Sequence, residues 1–111
     1  MKARLLSVSA AALFALGAAG QASADLDLAK KSGCLACHSV EKKVVGPAWQ
    51  DVANKYKGDA AAKAALVTKV KAGGKGNWTE VTGGVPMPPY SPRVPEADIE
   101  KLVDFVLGLA K

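Results

Sequence analysis

The hydrophobic residues divide the chain into an apolar leader and a region with helical periodicity. Residues 5–19 are almost all apolar, and two basic residues precede this run. Ala22-Ser23-Ala24 follows it and has the small side chains that a signal peptidase needs at its cleavage site. The alternative is a retained anchor, but a membrane-spanning helix needs roughly 20 apolar residues. We therefore predict a cleaved signal peptide over residues 1–24, a single domain over residues 25–111 and no stable membrane anchor.

Apolar residues at intervals of three and four predict about four helices in the mature chain. Proline begins the second helix and precedes the fourth, Asp59 is a candidate N-cap of the third, and Gly73-Gly74 would end that helix. The predicted helices cover residues 26–33, 47–56, 59–70 and the segment after Pro95. The intervening residues 73–94 are rich in glycine and proline and lack periodicity, which predicts a long loop with a function of its own. The predicted fold class is all-α.

Length and charge add two constraints. Removing the 24 leader residues from 111 leaves 87, and a domain of that size is only marginally stable without additional help. A bound cofactor that serves as part of the core would supply that help. The two leader cations leave 13 of 15 basic side chains against 10 acidic ones, without long runs of either sign. This mild excess of positive charge argues against nucleic acid as a partner.

Cys34-Leu35-Ala36-Cys37-His38 is the attachment sequence of c-type haem. Two thiols three positions apart can each add to one vinyl group on the same porphyrin edge, and the adjacent histidine then lies beneath the iron. A thioredoxin-like redox pair would need a βαβ pattern, which the sequence lacks. A structural zinc site would need four ligands, and the mature chain offers two cysteines and one histidine. We predict one covalently attached haem c, held by Cys34 and Cys37, with His38 as an axial iron ligand.

Elimination identifies the second axial ligand. His38 is the only histidine, and Met87 is the only methionine once the leader is removed. Met87 lies in the long loop with Pro86 before it and two prolines after it, and these fix the backbone around the thioether. We predict that Met87 binds the iron opposite His38.

Histidine–methionine ligation has a functional consequence. Both axial positions are filled, so substrates and gases have no coordination site, and the thioether favours ferrous iron. The expected activity is single-electron transfer by a diffusible carrier that is not an enzyme. The alternative is a haem enzyme or gas sensor, peroxidase-like, in which the methionine dissociates. A domain of a larger reductase is a further alternative.

With these motifs the chain resembles the class I c-type cytochromes, and most of all their small bacterial cytochrome c-551-type branch. The resemblance covers residues 25–111 and implies a small cytochrome c fold of about four helices wrapped around one covalently bound haem. It rests on five features: CLACH at 34–38, Val45-Gly46-Pro47-Ala48, Gly76-Asn77-Trp78, Pro86-Met87-Pro88-Pro89 and a C-terminal helix with Phe105.

Further roles follow from this resemblance alone. The Pro47 carbonyl would accept a hydrogen bond from His38, and Trp78, with Lys69 nearby, would bind a haem propionate. Gly33 would allow a close approach of Phe105 where the first and last helices cross. The chain also departs from the branch. Residues 79–84 lengthen the segment between Trp78 and the methionine and should form a protruding turn, and Tyr90 stands where an asparagine often donates to the methionine sulfur.

The predicted leader indicates where the protein works, and the expected electron transfer indicates what kind of partner it meets. We expect a bacterial periplasmic monomer whose partners are redox proteins, an electron donor and an electron acceptor. Four lysines near the haem-binding segments would surround an exposed haem edge and steer weak encounters: Lys42, Lys43, Lys71 and Lys75.

Overall fold

The computed structural model describes residues 24–111, and the regular elements in this range are helical apart from two isolated β-bridges. The all-α fold class is confirmed. The described residues form five α-helices and one short 3₁₀ helix, because the long loop contains a helical turn that periodicity did not predict. In chain order these are α1 at residues 24–31, the 3₁₀ helix Cys34–Ala36, α2 Trp49–Lys55, α3 Ala62–Ala72, α4 Thr79–Thr82 and α5 Glu96–Leu107.

Helix α1 ends because Gly33 takes a left-handed conformation, with φ at 86°. Among the described residues, a Cβ built on Gly33 would have no atom within 4 Å outside its chain neighbours, so the expected reason for this glycine, a close approach of Phe105 that a side chain would prevent, is wrong. The glycine is required for its backbone angle, which residues with a side chain rarely adopt. Phe105 instead packs edge-on against Trp49, with ring centroids 6.1 Å apart.

Two helices begin later than predicted. Helix α2 starts at Trp49 because the carbonyls of Ser39 and Val40 accept from the backbone N–H groups of Trp49 and Gln50, at 2.9 and 2.8 Å. These bonds join the start of α2 to the segment that follows His38. Asp59 accepts from the N–H of residue 61 at 2.9 Å, so it closes a turn ahead of α3 instead of capping the helix.

Helix α5 matches its prediction and organises the core. Pro95 is its N-cap, and the helix packs against both α2 and α3. Its buried residues serve two apolar clusters. Leu102 and Val106 join side chains of α1, the 3₁₀ helix and α2, whereas Ile99 and Val103 join α3 and the loop before α5. Each fully buried aliphatic side chain contributes about 1.5–3 kcal/mol. Within residues 24–111, no helix is long and apolar enough to cross a membrane.

Candidate haem site

The 3₁₀ helix brings the two cysteines of the attachment sequence onto one turn of chain. The backbone N–H groups of Cys37 and His38 both donate to the Cys34 carbonyl, at 3.2 and 3.0 Å. Both thiols are free; Cys34 is buried and Cys37 half-buried. Burial raises the pKa of the Cys34 thiol, and the Arg93 guanidinium and a backbone hydrogen bond oppose this rise. Two free thiols therefore lie on one turn that directly follows α1.

The His38 imidazole has a fixed orientation. Its Nδ1 lies 2.9 Å from the Pro47 carbonyl oxygen, so Nδ1–H donates and Nε2 keeps its lone pair. Burial lowers the pKa of His38, and the hydrogen bond to Pro47 opposes part of this fall. A ring that is neutral, oriented and equipped with a free nitrogen lone pair has the form in which histidine binds metals.

Two residues enclose the imidazole from its sides. The Trp49 indole stacks on it with centroids 5.6 Å apart and ring planes 23° from parallel. On another side the backbone of Gly46 approaches so closely that an added Cβ would lie 2.6 Å from Cε1 of His38. Gly46 lies within the Val45-Gly46-Pro47-Ala48 motif, which by itself does not indicate this contact. Gly46 matters because its backbone contacts the ring of a residue eight positions earlier, and no local sequence pattern predicts such a contact.

One cavity brings together all the predicted site residues. It has a volume of about 1160 Å³, including the part open to solvent. Its walls are largely apolar and come from the 3₁₀ helix, α2, α3, α5 and the loop before α5. The predicted residues that line it are Cys34, Cys37, His38, Pro47, Lys69, Trp78 and Met87. An apolar cavity with two thiols, an imidazole and a thioether on its walls fits the chemistry of a covalently attached haem.

Backbone pairing with the end of α3 holds Met87 in this cavity. Gly74 and Met87 exchange two hydrogen bonds, N–H to O at 2.9 Å and 3.0 Å. Gly73 has φ at 74°, and a Cβ there would lie 2.5 Å from the Met87 carbonyl oxygen. The Gly73-Gly74 pair therefore ends α3, as predicted, and also accepts the methionine segment at a distance that a side chain would prevent.

Trp78 and Lys69 line the same cavity, and within residues 24–111 neither side chain makes a hydrogen bond. The Lys55 ammonium lies 5.3 Å from the Trp78 ring centroid, a cation–π contact that restrains the indole. Asn77 donates to the Tyr56 hydroxyl at 3.3 Å, which also ties this segment to α2. The segment after Trp78 forms α4, and Thr82 at its end contributes to the cavity wall. The segment predicted to protrude therefore forms part of the cavity wall. The sequence alone did not indicate that Thr82 lines the cavity.

The four lysines do not form one uniform group. Lys42 and Lys43 are exposed in the loop that pairs with His38, and Lys75 is exposed at the cavity wall. The Lys71 ammonium instead lies 2.6 Å from a Glu96 carboxylate oxygen, so its charge is paired with a carboxylate. Large apolar side chains are also exposed at the cavity, among them Val45 and Val85, the latter 50% accessible.

Comparison with known proteins agrees with this chemistry. The family model described as cytochrome c matches residues 19–110. The chain is 59% identical over 98 residues to cytochrome c-551 of Allochromatium vinosum, covering 88% of this chain and 99% of that protein. It is 48% identical over 109 residues to cytochrome c-552 of Nitrosomonas europaea, covering 98% and 99%.

Solved structures show the same fold. The crystal structure of wild-type Nitrosomonas europaea cytochrome c552 superposes with a TM-score of 0.68 at 48% identity, covering 76% of this chain and 98% of that one. A class 1 cytochrome from Sideroxydans lithotrophicus gives 0.66 at 32% identity, covering 78% and 94%. The relatives are named as cytochromes and not as enzymes. This chain belongs to the cytochrome c family, in the group of small bacterial class I monohaem cytochromes, and is an electron carrier with one covalently bound c-type haem.

Proposed function

We propose that Cys34 and Cys37 form the thioether links to haem, that His38 and Met87 are its axial ligands, and that the protein carries single electrons between periplasmic redox proteins. One observation carries the proposal: the attachment sequence and the proline-flanked methionine, about fifty residues apart in sequence, line the same apolar cavity. When bound, haem supplies an iron centre that gains and loses one electron.

The protein residues would orient the two iron ligands and exclude substrates from the iron. The Pro47 carbonyl and the Gly46 backbone hold the imidazole in one orientation, and pairing with Gly74 fixes the Met87 backbone. With His38 and Met87 both bound to the iron, a substrate would have no place to coordinate, and the chemistry left to the bound haem would be electron transfer. Trp78 and Lys69, on the same cavity wall, would bind the propionates through an indole N–H and an ammonium group.

A weakly bound acidic partner fits the cavity mouth. Exposed Val45 and Val85 would make the short-range apolar contact, while Lys42, Lys43 and Lys75 would steer the approach of a negatively charged surface. Such an encounter is weak and salt-dependent, which suits a carrier that must dissociate quickly.

The periplasmic location follows from the predicted leader, most of which lies outside the described residues. Intact mass of the protein purified from its host tests it, and we expect a mature chain that begins at Asp25 with one haem attached. A mass that includes the leader would contradict export with cleavage.

Replacement of Met87 tests the ligand assignment. The wild-type ferric protein should be low-spin and show the near-infrared sulfur-to-iron charge-transfer band, and the ferrous protein should bind carbon monoxide slowly. Met87→Ala should abolish the band, admit carbon monoxide and lower the reduction potential, because the soft thioether favours ferrous iron. Val85→Ala is the matched control, since Val85 lines the same cavity from the same loop but has no thioether. A high-spin wild type that binds carbon monoxide readily would refute the proposal and favour a haem enzyme or gas sensor.

A further inference from the structure

Tyr90 is the largest side chain buried between the methionine segment and α5. It is 6% exposed and belongs to the apolar cluster that includes Val67, Ile99 and Val103. Met87 packs against this cluster, and Tyr90 and Met87 both line the cavity. The ring is therefore part of the wall on the methionine side.

The backbone around Tyr90 is fixed on both sides. Its N–H donates to the Val70 carbonyl of α3 at 3.1 Å, and its own carbonyl accepts from the Val94 N–H at 2.8 Å. These two bonds hold the Tyr90 Cα between the end of α3 and the start of α5. The Tyr90 backbone is thus bonded to the last turns of α3, and the Met87 backbone is bonded to Gly74 directly after that helix.

Arg93 restrains the ring itself. Its guanidinium carbon lies 4.8 Å from the Tyr90 ring centroid, within the range of a cation–π contact. Arg93 is exposed, whereas the ring that it contacts is buried. A cation held against an aromatic ring limits the movement of that ring.

A methionine side chain depends on packing contacts to fix its conformation more than most side chains do. It has three rotatable bonds and a flexible thioether, so backbone pairing alone does not fix the sulfur. The side-chain hydrogen bonds formed within residues 24–111 include none to the Met87 sulfur. Restraint of the thioether by other protein atoms must then come from packing.

We propose that Tyr90, covered by Arg93, is a positioning residue that keeps the Met87 thioether directed into the cavity by packing and not by a hydrogen bond from its hydroxyl. This inference rests on the proposed ligation by Met87. It assigns the ligand's restraint to the Tyr90–Arg93 pair, in place of the sulfur hydrogen bond that the family resemblance suggested at this position.

Four variants test the proposal in the haem-loaded protein: Tyr90→Phe, Tyr90→Leu, Arg93→Gln and Arg93→Lys. The readouts are the intensity of the sulfur-to-iron band, the rate of carbon monoxide binding to the ferrous form, the reduction potential and the unfolding temperature. Tyr90→Phe keeps the ring and should match the wild type in band, rate and potential. Tyr90→Leu should weaken the band and speed carbon monoxide binding about tenfold or more, because the void beside the thioether lets it leave.

Arg93→Gln should give an intermediate increase in the carbon monoxide rate, and Arg93→Lys, which keeps the cation, should restore most of the wild-type behaviour. Ile99→Val is the matched control, because Ile99 belongs to the same cluster but does not line the cavity. It should lower the unfolding temperature and leave the band, the rate and the potential unchanged.

The outcomes separate this inference from the proposed function. A wild type without the band would refute ligation by Met87 itself. If the band is present and Tyr90→Leu keeps the wild-type band and carbon monoxide rate, only the positioning role fails. Loss of the band in Tyr90→Phe would instead assign the restraint to the hydroxyl and overturn the packing argument. If Tyr90→Leu does not fold, Arg93→Gln and Tyr90→Phe decide the question, and a wild-type rate in Arg93→Gln refutes the role of the guanidinium.

Discussion

Gly46 is the position where one added carbon should do the most damage to the site. A Cβ there would lie 2.6 Å from Cε1, 3.0 Å from Nδ1 and 3.1 Å from Nε2 of His38, so it would meet the edge of the imidazole along its length. Gly46 does not have a positive φ, so Gly46→Ala brings no backbone strain. The substitution tests steric contact with the proposed iron ligand alone.

The expected cost follows from these distances. Carbon atoms in contact lie about 3.5–4.0 Å apart, so the ring or the loop must move by about 1 Å. Overpacking of this kind costs about 1–3 kcal/mol. The displacement would also break the 2.9 Å hydrogen bond to Pro47, which adds about 1 kcal/mol. Together these give about 2–4 kcal/mol, or a fall in Tm of roughly 8–30 °C in a domain of this size.

Thermal unfolding and the redox spectra of the haem-loaded protein provide the assay. Gly58→Ala is the control, because Gly58 has φ at 80° but no atom within 4 Å of an added Cβ, so only backbone strain of about 1 kcal/mol is expected. Gly46→Ala should lower Tm further than this control, and it alone should alter the spectra and the reduction potential. Equal Tm values for the two variants, with unchanged spectra, would refute the contact between Gly46 and the imidazole.

Three further predictions concern other parts of the molecule. Trp78→Phe removes the indole N–H and keeps an aromatic ring, so the pKa of the propionate should rise and the pH-dependent region of the reduction potential should move to higher pH. The hydrogen bond and charge of Lys71 lower the pKa of Glu96, so the pair stabilises the fold above the ordinary glutamate pKa and this contribution is lost as pH falls. Glu96→Gln should therefore lower Tm at pH 7, and the difference from wild type should shrink in acid and in high salt. Lys75→Glu should slow electron transfer with an acidic partner at low ionic strength more than Lys101→Glu on α5 does, and equal effects would exclude steering at the cavity.

Local chemistry explains why several elements were predictable. Helix α5 has a proline at its start, acidic residues in its first turn and a clear apolar stripe, and all three act over a few residues. The start of α3 was mispredicted because Asp59 closes a turn with residue 61 as readily as it caps a helix. Helix α4 was missed because its single turn is too short to show periodicity.

The candidate haem site also combines features that the sequence predicts with features that it does not. The proposed attachment residues could be named from the sequence because covalent haem attachment requires the spacing that Cys34, Cys37 and His38 have, and elimination pointed to Met87 as the methionine available. The surroundings of those residues were decided by tertiary structure. Three contacts form between segments that meet only after folding. They are the Gly46 backbone against the imidazole, Arg93 against the Tyr90 ring and the ion pair of Lys71 with Glu96. Sequence alone determined which atoms can bind the cofactor, because that depends on residue type and local spacing. Only the tertiary structure decided what holds those atoms in place, because packing contacts depend on distances between segments that are remote in the chain.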